Sequence, residues 1–201
     1  MALIKLNNRG VRNVSTFGSV GGGSMTFIKK LTASSSGDLS FVDGSASVVL
    51  DDTYKEYLFT FNNIHPGTDN THFTFNMSVD SGSNYNVAKT TTYNHAAHNE
   101  SGTAQEVAYQ DPSDLAQGTG FHRLQNFSNS DNDASCSGYL HLFNPASTTF
   151  VKHFMSNFNS SSYTSDPYTL NPFTAGYGNT TSAVDAVQFK YSSGNIDAGD
   201  I

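Results

Sequence analysis

Tryptophan is absent from the chain, which removes the commonest aromatic platform for a sugar ring. Cysteine occurs once, at Cys136, so neither an intrachain disulfide framework nor a cysteine-based zinc site can form. No apolar run reaches the 18 or so residues that a membrane-spanning helix needs, so no membrane partner is expected. The first residues lack the apolar core of a signal peptide, which points to synthesis in a reducing cytoplasm and release by a route other than ordinary secretion. Catalytic signatures are missing too. There is no Gly-x-Ser-x-Gly elbow, no phosphate-binding loop and no complete Gly-x-Gly-x-x-Gly. Only three glutamates occur, Glu56, Glu100 and Glu106, and the 14 aspartates fall mostly in turns, a poor supply for the facing carboxylates of a glycosidase. No catalytic residues and no cofactor are expected.

Charge is scarce, at 13 % of residues, while Ser, Thr and Asn number 27, 20 and 20, a third of the 201. Such residues suit turns, sheet edges and water-facing strand positions and are poor helix formers. Fifteen Phe and 10 Tyr argue against disorder, because they can build a core. The clearest pattern runs from Tyr57 to Asn86. Tyr57, Phe59 and Phe61 share one face of a strand; Phe73, Phe75, Met77 and Val79 share one face of the next, with Thr74, Asn76 and Ser78 opposite. A period of two sustained this long predicts half-buried antiparallel strands. His65-Pro66-Gly67-Thr68-Asp69-Asn70 supplies turn formers between them and predicts a hairpin.

Further strands are expected at Ser24–Ala33, Leu39–Val42, Ala46–Leu50, Val87–His95, Val107–Tyr109, Gly120–Phe127, Gly138–Phe143, Thr148–Phe158 and Ala183–Tyr191. One short helical turn fits at Asp111-Pro112-Ser113-Asp114. The Ser-rich stretches Ala33–Gly37 and Asn157–Ser165 read as loops, and residues 160–180 as a polar, proline-containing region. Turns every ten to fifteen residues predict an all-β, jelly-roll-like antiparallel sandwich over residues 24–201, with little or no helix.

Residues 1–23 differ. Up to residue 37 the chain has Lys5, Arg9, Arg12, Lys29 and Lys30 and no acid, whereas residues 38–201 hold five basic and all 17 acidic residues, a balance of −12. Leu3, Ile4 and Leu6 around Lys5 suit an added strand, and Gly21-Gly22-Gly23 a hinge. The expectation is a basic arm that docks through Leu3, Ile4, Lys5, Leu6, Arg9 and Arg12 onto an acidic partner or a neighbouring copy. A terminal strand folded on its own sheet is the plainer alternative. Nucleic acid is not an expected partner, because five dispersed charges make a poor phosphate footprint on a chain of net charge −7.

Site candidates are few. His95, His98 and Glu100 have a spacing a metal uses on a helical turn, but on a strand the two imidazoles point apart, so no metal is expected. Asp80-x-Gly82-x-Asn84 lacks the acid density of a calcium loop. Asp185 shares a face with Val187, Phe189 and Tyr191 and suits a buried hydrogen-bonded role. Tyr163, Tyr168 and Tyr177 fit either a glycan platform or a subunit interface.

ALIKLNNR at the start, NIHPGTDN, SGSNYN, TTTYNHAAHNE (90–100), DLAQGTGFHR (114–123), GYLHLFNPASTTFVKHF (138–154) and GYGNTTSAVDAVQFKYSSGNIDAG (176–199) together resemble small virion proteins of tailed bacteriophages, marine ones in particular. The likeness covers nearly the whole chain and lies in turn and core patterns. It implies a non-enzymatic, homo-oligomeric structural protein of the virion, a tail-fibre-like appendage or a capsid decoration, made in the host cytoplasm and contacting other virion proteins. The alternative class is a host-surface glycan-binding module.

Overall fold

The computed structural model describes residues 25–162 and 166–201. Among the described residues eleven strands form: β1 (Leu39–Val42), β2 (Glu56–Pro66), β3 (Thr71–Ser78), β4 (Lys89–Asn99), β5 (Gln105–Tyr109), β6 (His122–Ser128), β7 (Cys136–Phe143), β8 (Lys152–Ser162), β9 (Tyr168–Gly178), β10 (Ala186–Tyr191) and β11 (Ile196–Asp200). A 3₁₀ turn at Asp111–Ser113 is the helical element among the described residues. Four strands make one sheet in the order β1-β10-β3-β6 and seven make the other, β11-β2-β7-β8-β9-β4-β5. Every pairing is antiparallel. The chain changes sheet at seven of its ten strand-to-strand connections, as a jelly-roll-like sandwich requires.

The alternating aromatics lie between the sheets. Phe59, Phe61, Phe73, Phe75 and Met77 are buried together with Leu140, Phe154 and Phe158. Phe189 of β10 is their hub: its ring centroid lies 5.2 Å from Phe59, 5.0 Å from Phe61, 6.2 Å from Phe73 and 6.3 Å from Phe75. Val79, one residue past β3, is exposed rather than part of this set.

The expected hairpin does not form. β2 pairs with β7 and β11, and β3 pairs with β10 and β6, so Gly67–Asn70 is a corner between the two sheets. The reason lies in the side chains. Two strands in one sheet would present both aromatic rows to the same side, whereas a sheet change lets Phe61 meet Phe73 edge to face across the interior at 5.6 Å. The opposite face of β3 is also covered. Thr74, Asn76 and Ser78 are buried, and Asn76 Nδ2 donates to Tyr85 O at 2.6 Å and Thr119 O at 3.0 Å.

Three further expectations are corrected. Of the strand expected at Ser24–Ala33, Ser24 lies outside the described residues, and among the rest only Leu31–Ala33 pair, irregularly, along β11 through Leu31 N to Ile201 O at 2.9 Å and Ala33 N to Gly199 O at 2.8 Å. Ala46 and Ser47 take left-handed φ values of 48° and 69°, so Ala46–Leu50 is a turn that still buries Val48 and Leu50. Residues 157–162 and 168–178 are strand, the end of β8 and all of β9. Pro172 stands there inside the sheet, facing His95 of β4. It has no N–H to give, and side-chain amides fill the gap: Asn171 Nδ2 donates to Phe158 O and Asn159 Nδ2 to Leu170 O.

Candidate binding cleft

Seven strands cannot be covered by four, and the overhanging part is β4 and β5. Near Thr91 and Tyr93 the 3₁₀ turn closes over the gap: Thr91 N donates to Leu115 O at 2.9 Å, and Asn126 Nδ2 donates to Ser113 Oγ at 2.7 Å. Beyond it His95 and Ala97 of β4 remain mostly buried, and the open side lies toward β5, whose residues are mostly exposed. A cleft of about 560 Å³ results, lined by His95 and Ala97 of β4, Ala104–Glu106 at β5, Tyr168 and Leu170 of β9, and Asn70, Phe127 and Asn129 at the end of β6 and the corner. That size falls in the range of small-molecule sites.

Both walls are tied down. On one side Asn70 N donates to Asn129 Oδ1 at 3.2 Å, and Asp69 accepts from Ser130 N at 2.9 Å and Ser130 Oγ at 2.6 Å, bonds that hold its carboxyl below the usual range. On the other, Glu100 N donates to Pro167 O at 2.8 Å and Ser101 Oγ to Asp166 Oδ2 at 2.8 Å, fixing the chain that leads into Tyr168. Inside, His95 Nε2 lies 2.8 Å from Glu106 Oε1. The carboxylate accepts that proton and keeps most of its lone-pair positions toward solvent.

Phe127 is unusual in two ways. It is 49 % exposed, and its φ of 58° is left-handed, a costly choice for an aromatic residue. Its N–H donates to His72 Nδ1 at 3.2 Å and its ring meets the His72 ring edge to face at 5.5 Å. Burial and the Arg123 charge push His72 down to about 4, so it stays neutral and able to accept that bond.

The interior at the other end of β4, under the 3₁₀ turn, is polar. Lys89 is fully buried, and its ammonium donates to Asn76 Oδ1 at 2.5 Å and Val87 O at 2.7 Å; burial pushes it down to about 7. His122, also fully buried, is pushed down to about 3 by burial and by the Lys89 and Arg123 charges; its Nδ1 lies 3.2 Å from Thr91 Oγ1. Cys136 is buried and its thiol is pushed up to about 12, which makes it a poor nucleophile.

The sequence candidates separate. Tyr168 lines the cleft, whereas Tyr177, nine positions on and of opposite parity, lies on the outer face of the seven-stranded sheet beside His153 at 6.2 Å. At about 3.3 Å per residue these two are roughly 30 Å apart and cannot serve one ligand site. Tyr163 and the proposed docking residues Leu3, Ile4, Lys5, Leu6, Arg9 and Arg12 lie outside the described residues. His95 points inward and His98 outward, and among the described residues no three of His, Cys, Asp and Glu converge as a metal cage would need. The Asp185 carboxylate accepts from Ser81 N at 3.0 Å, a structural bond that closes the turn after β3. Sequence reading missed His95, Glu106 and Phe127 as cleft residues. The alternation around Tyr93 and His95 marks an inward face, but nothing local says that it borders a cleft.

The outer face of the seven-stranded sheet is the other feature. Leu58, Tyr139, Met155, Phe173, Val107 and Tyr109 stand exposed on it. Among the outward positions of β2, β7, β8, β9, β4 and β5, only Glu56 carries a formal charge, 3.4 Å from His141 Nδ1, while the edge strand β11 carries Asp197 and Asp200. Compared with known proteins, the chain matches no family model, no curated protein and no solved structure.

Proposed function

We propose that the protein is a non-enzymatic structural subunit of a tailed-bacteriophage particle. In this reading it is made in the host cytoplasm and displayed as a tail appendage or capsid decoration. The resemblance of its turn and core motifs supports the reading, and the outer sheet face carries it. A chain of net charge −7 repels its copies and other acidic proteins, so a broad face almost free of charge is where contact costs least. Its exposed Tyr, Phe and Met residues are the types enriched at interface centres, where charged groups are depleted. The rigid aromatic sandwich then acts as a spacer, with copies of the chain or other virion proteins against this face. The segment bearing Leu3, Ile4, Lys5, Leu6, Arg9 and Arg12 serves as a second attachment, adding a strand to a neighbour's open edge.

Two altered chains test this. A Phe173→Lys, Met155→Lys chain places charge in the middle of the face without touching the core, and a chain lacking residues 2–20 removes the arm. Each is expected to fold, by circular dichroism, and to be depleted from purified particles when supplied in place of the parent. Normal incorporation of both would overturn the assignment.

A further inference from the structure

We infer that the cleft between β4–β5, β9 and the end of β6 is a binding site for a neutral saccharide. This goes beyond the structural role, since a subunit that only holds a particle together needs no concave, braced site. The lining decides the ligand class. Tyr168, Phe127, Ala97 and Leu170 give apolar surface, and the two rings suit the C–H face of a pyranose. Asn70, Asn129, His95 and Glu106 bring amide, imidazole and carboxylate groups to the same space, the donors and acceptors that adjacent sugar hydroxyls require.

The lining also excludes alternatives. No lysine or arginine is among the lining residues, and Glu106 is acidic, so a phosphate, sulfate or sialylated ligand would meet repulsion. The exposed lining is mostly apolar, with His95, Glu106, Asn70 and Asn129 placing polar groups among it, a mixture that suits the two-sided surface of a sugar ring. His95 and Glu106 alone are too few to hold a metal.

Two structural details point to a built site rather than an accidental groove. Phe127 takes its left-handed backbone at the register shift between β3 and β6, a bulge that re-aims its ring and leaves it half exposed at the cleft. The bond to His72 and the ring contact hold it there. The second detail is the bracing of both walls through Asp69, Asn129 and Asp166, which removes the ordering cost a flexible site would meet on binding.

The test uses the full chain and saturation-transfer NMR, with calorimetry for hits. Probes are glucose, galactose, mannose, N-acetylglucosamine and their neutral trisaccharides, with sialyllactose and a heparin tetrasaccharide as charged controls. At least one neutral probe is expected to bind with Kd near or below about 1 mM, and the charged controls are not. Tyr168→Ala and Phe127→Ala should each weaken binding at least about ten-fold, and Glu106→Gln should weaken it as well. Phe173→Lys on the outer face should leave binding unchanged. If Phe127→Ala disturbs the fold, the surface residue Tyr168 carries the test alone. The inference is overturned if no neutral probe binds at about ten times that concentration, if only charged probes bind, or if Tyr168→Ala binds as the parent does. Particle incorporation of the Tyr168→Ala chain reads the structural role separately, so one reading can fail without the other.

Discussion

Phe75 shows what one residue does in this fold. Its ring is fully buried in β3, 4.8 Å from Phe154 of the opposite sheet and 6.0 Å from His122 of the neighbouring strand. Strand alternation aims it inward, and aromatic partners on three elements then close around it. Truncation leaves a cavity that rigid neighbouring rings cannot refill. Phe75→Ala is therefore expected to lower unfolding free energy by about 3–5 kcal/mol in urea titrations, with the secondary structure retained. A loss below about 1 kcal/mol would mean that the site collapses or that the ring is not in the core. Buried cysteine and tyrosine behave differently: burial drives the Cys136 thiol up to about 12 and the Tyr57 hydroxyl, also raised by Asp51, to about 12, so neither ionises in the folded chain at neutral pH.

At the scale of elements, β9 is the instructive case. Its sequence contains Pro172 and is flanked by Ser and Asn, features that mark loops, yet it runs eleven residues between β8 and β4. Asparagine makes this work, because its side chain can bond where a neighbouring backbone has lost its partner. Asn171 Nδ2 reaches Phe158 O across the strand beside the proline. Replacing it leaves a carbonyl in the sheet unbonded, so Asn171→Ala is expected to cost about 1–2 kcal/mol and to speed amide exchange in β8 and β9 more than elsewhere. Unchanged exchange there would show that the side chain is not holding the strand. The corner at Gly67–Asn70 is a second such case. The same turn formers serve a hairpin or a sheet change, and only the partners available to Phe61 and Phe73 choose between them.

For the whole molecule, the polar half of the interior sets the response to pH. His122 and His72 titrate at about 3 and about 4 when folded, against 6.5 as free side chains. As pH falls below 6.5 the unfolded chain takes protons that the folded chain refuses, so stability is lost progressively toward pH 3. Lys89 acts on the alkaline side. Between about 7 and its ordinary 10.5 the unfolded chain holds a proton that the folded chain lacks, so stability rises with pH from 7. Above 9 the raised Cys136 thiol opposes that gain, as the buried tyrosines do above 10. Denaturant unfolding should therefore show stability falling below neutrality and climbing from pH 7 to 9. Lys89→Met should flatten the climb and leave the acid limb intact. A climb that survives in this variant would assign it to another group.

The sequence by itself determined the β class, the inward faces of β2 and β3, and the 3₁₀ turn at Asp111–Ser113. Each follows from the backbone's period of two or from proline and aspartate chemistry within a few residues. Tertiary structure alone decided that Tyr57 pairs with Leu142 rather than within a local hairpin, and that β4 and β5 overhang the smaller sheet. It also decided that Tyr168 faces a cleft while Tyr177 faces outward, and that Lys89 lies buried among amides and carbonyls. Alternation states which side of a strand is apolar and carries no label for the strand that will cover it. Partner choice is made by packing between segments far apart in the chain, and the cleft exists because four strands cannot cover seven.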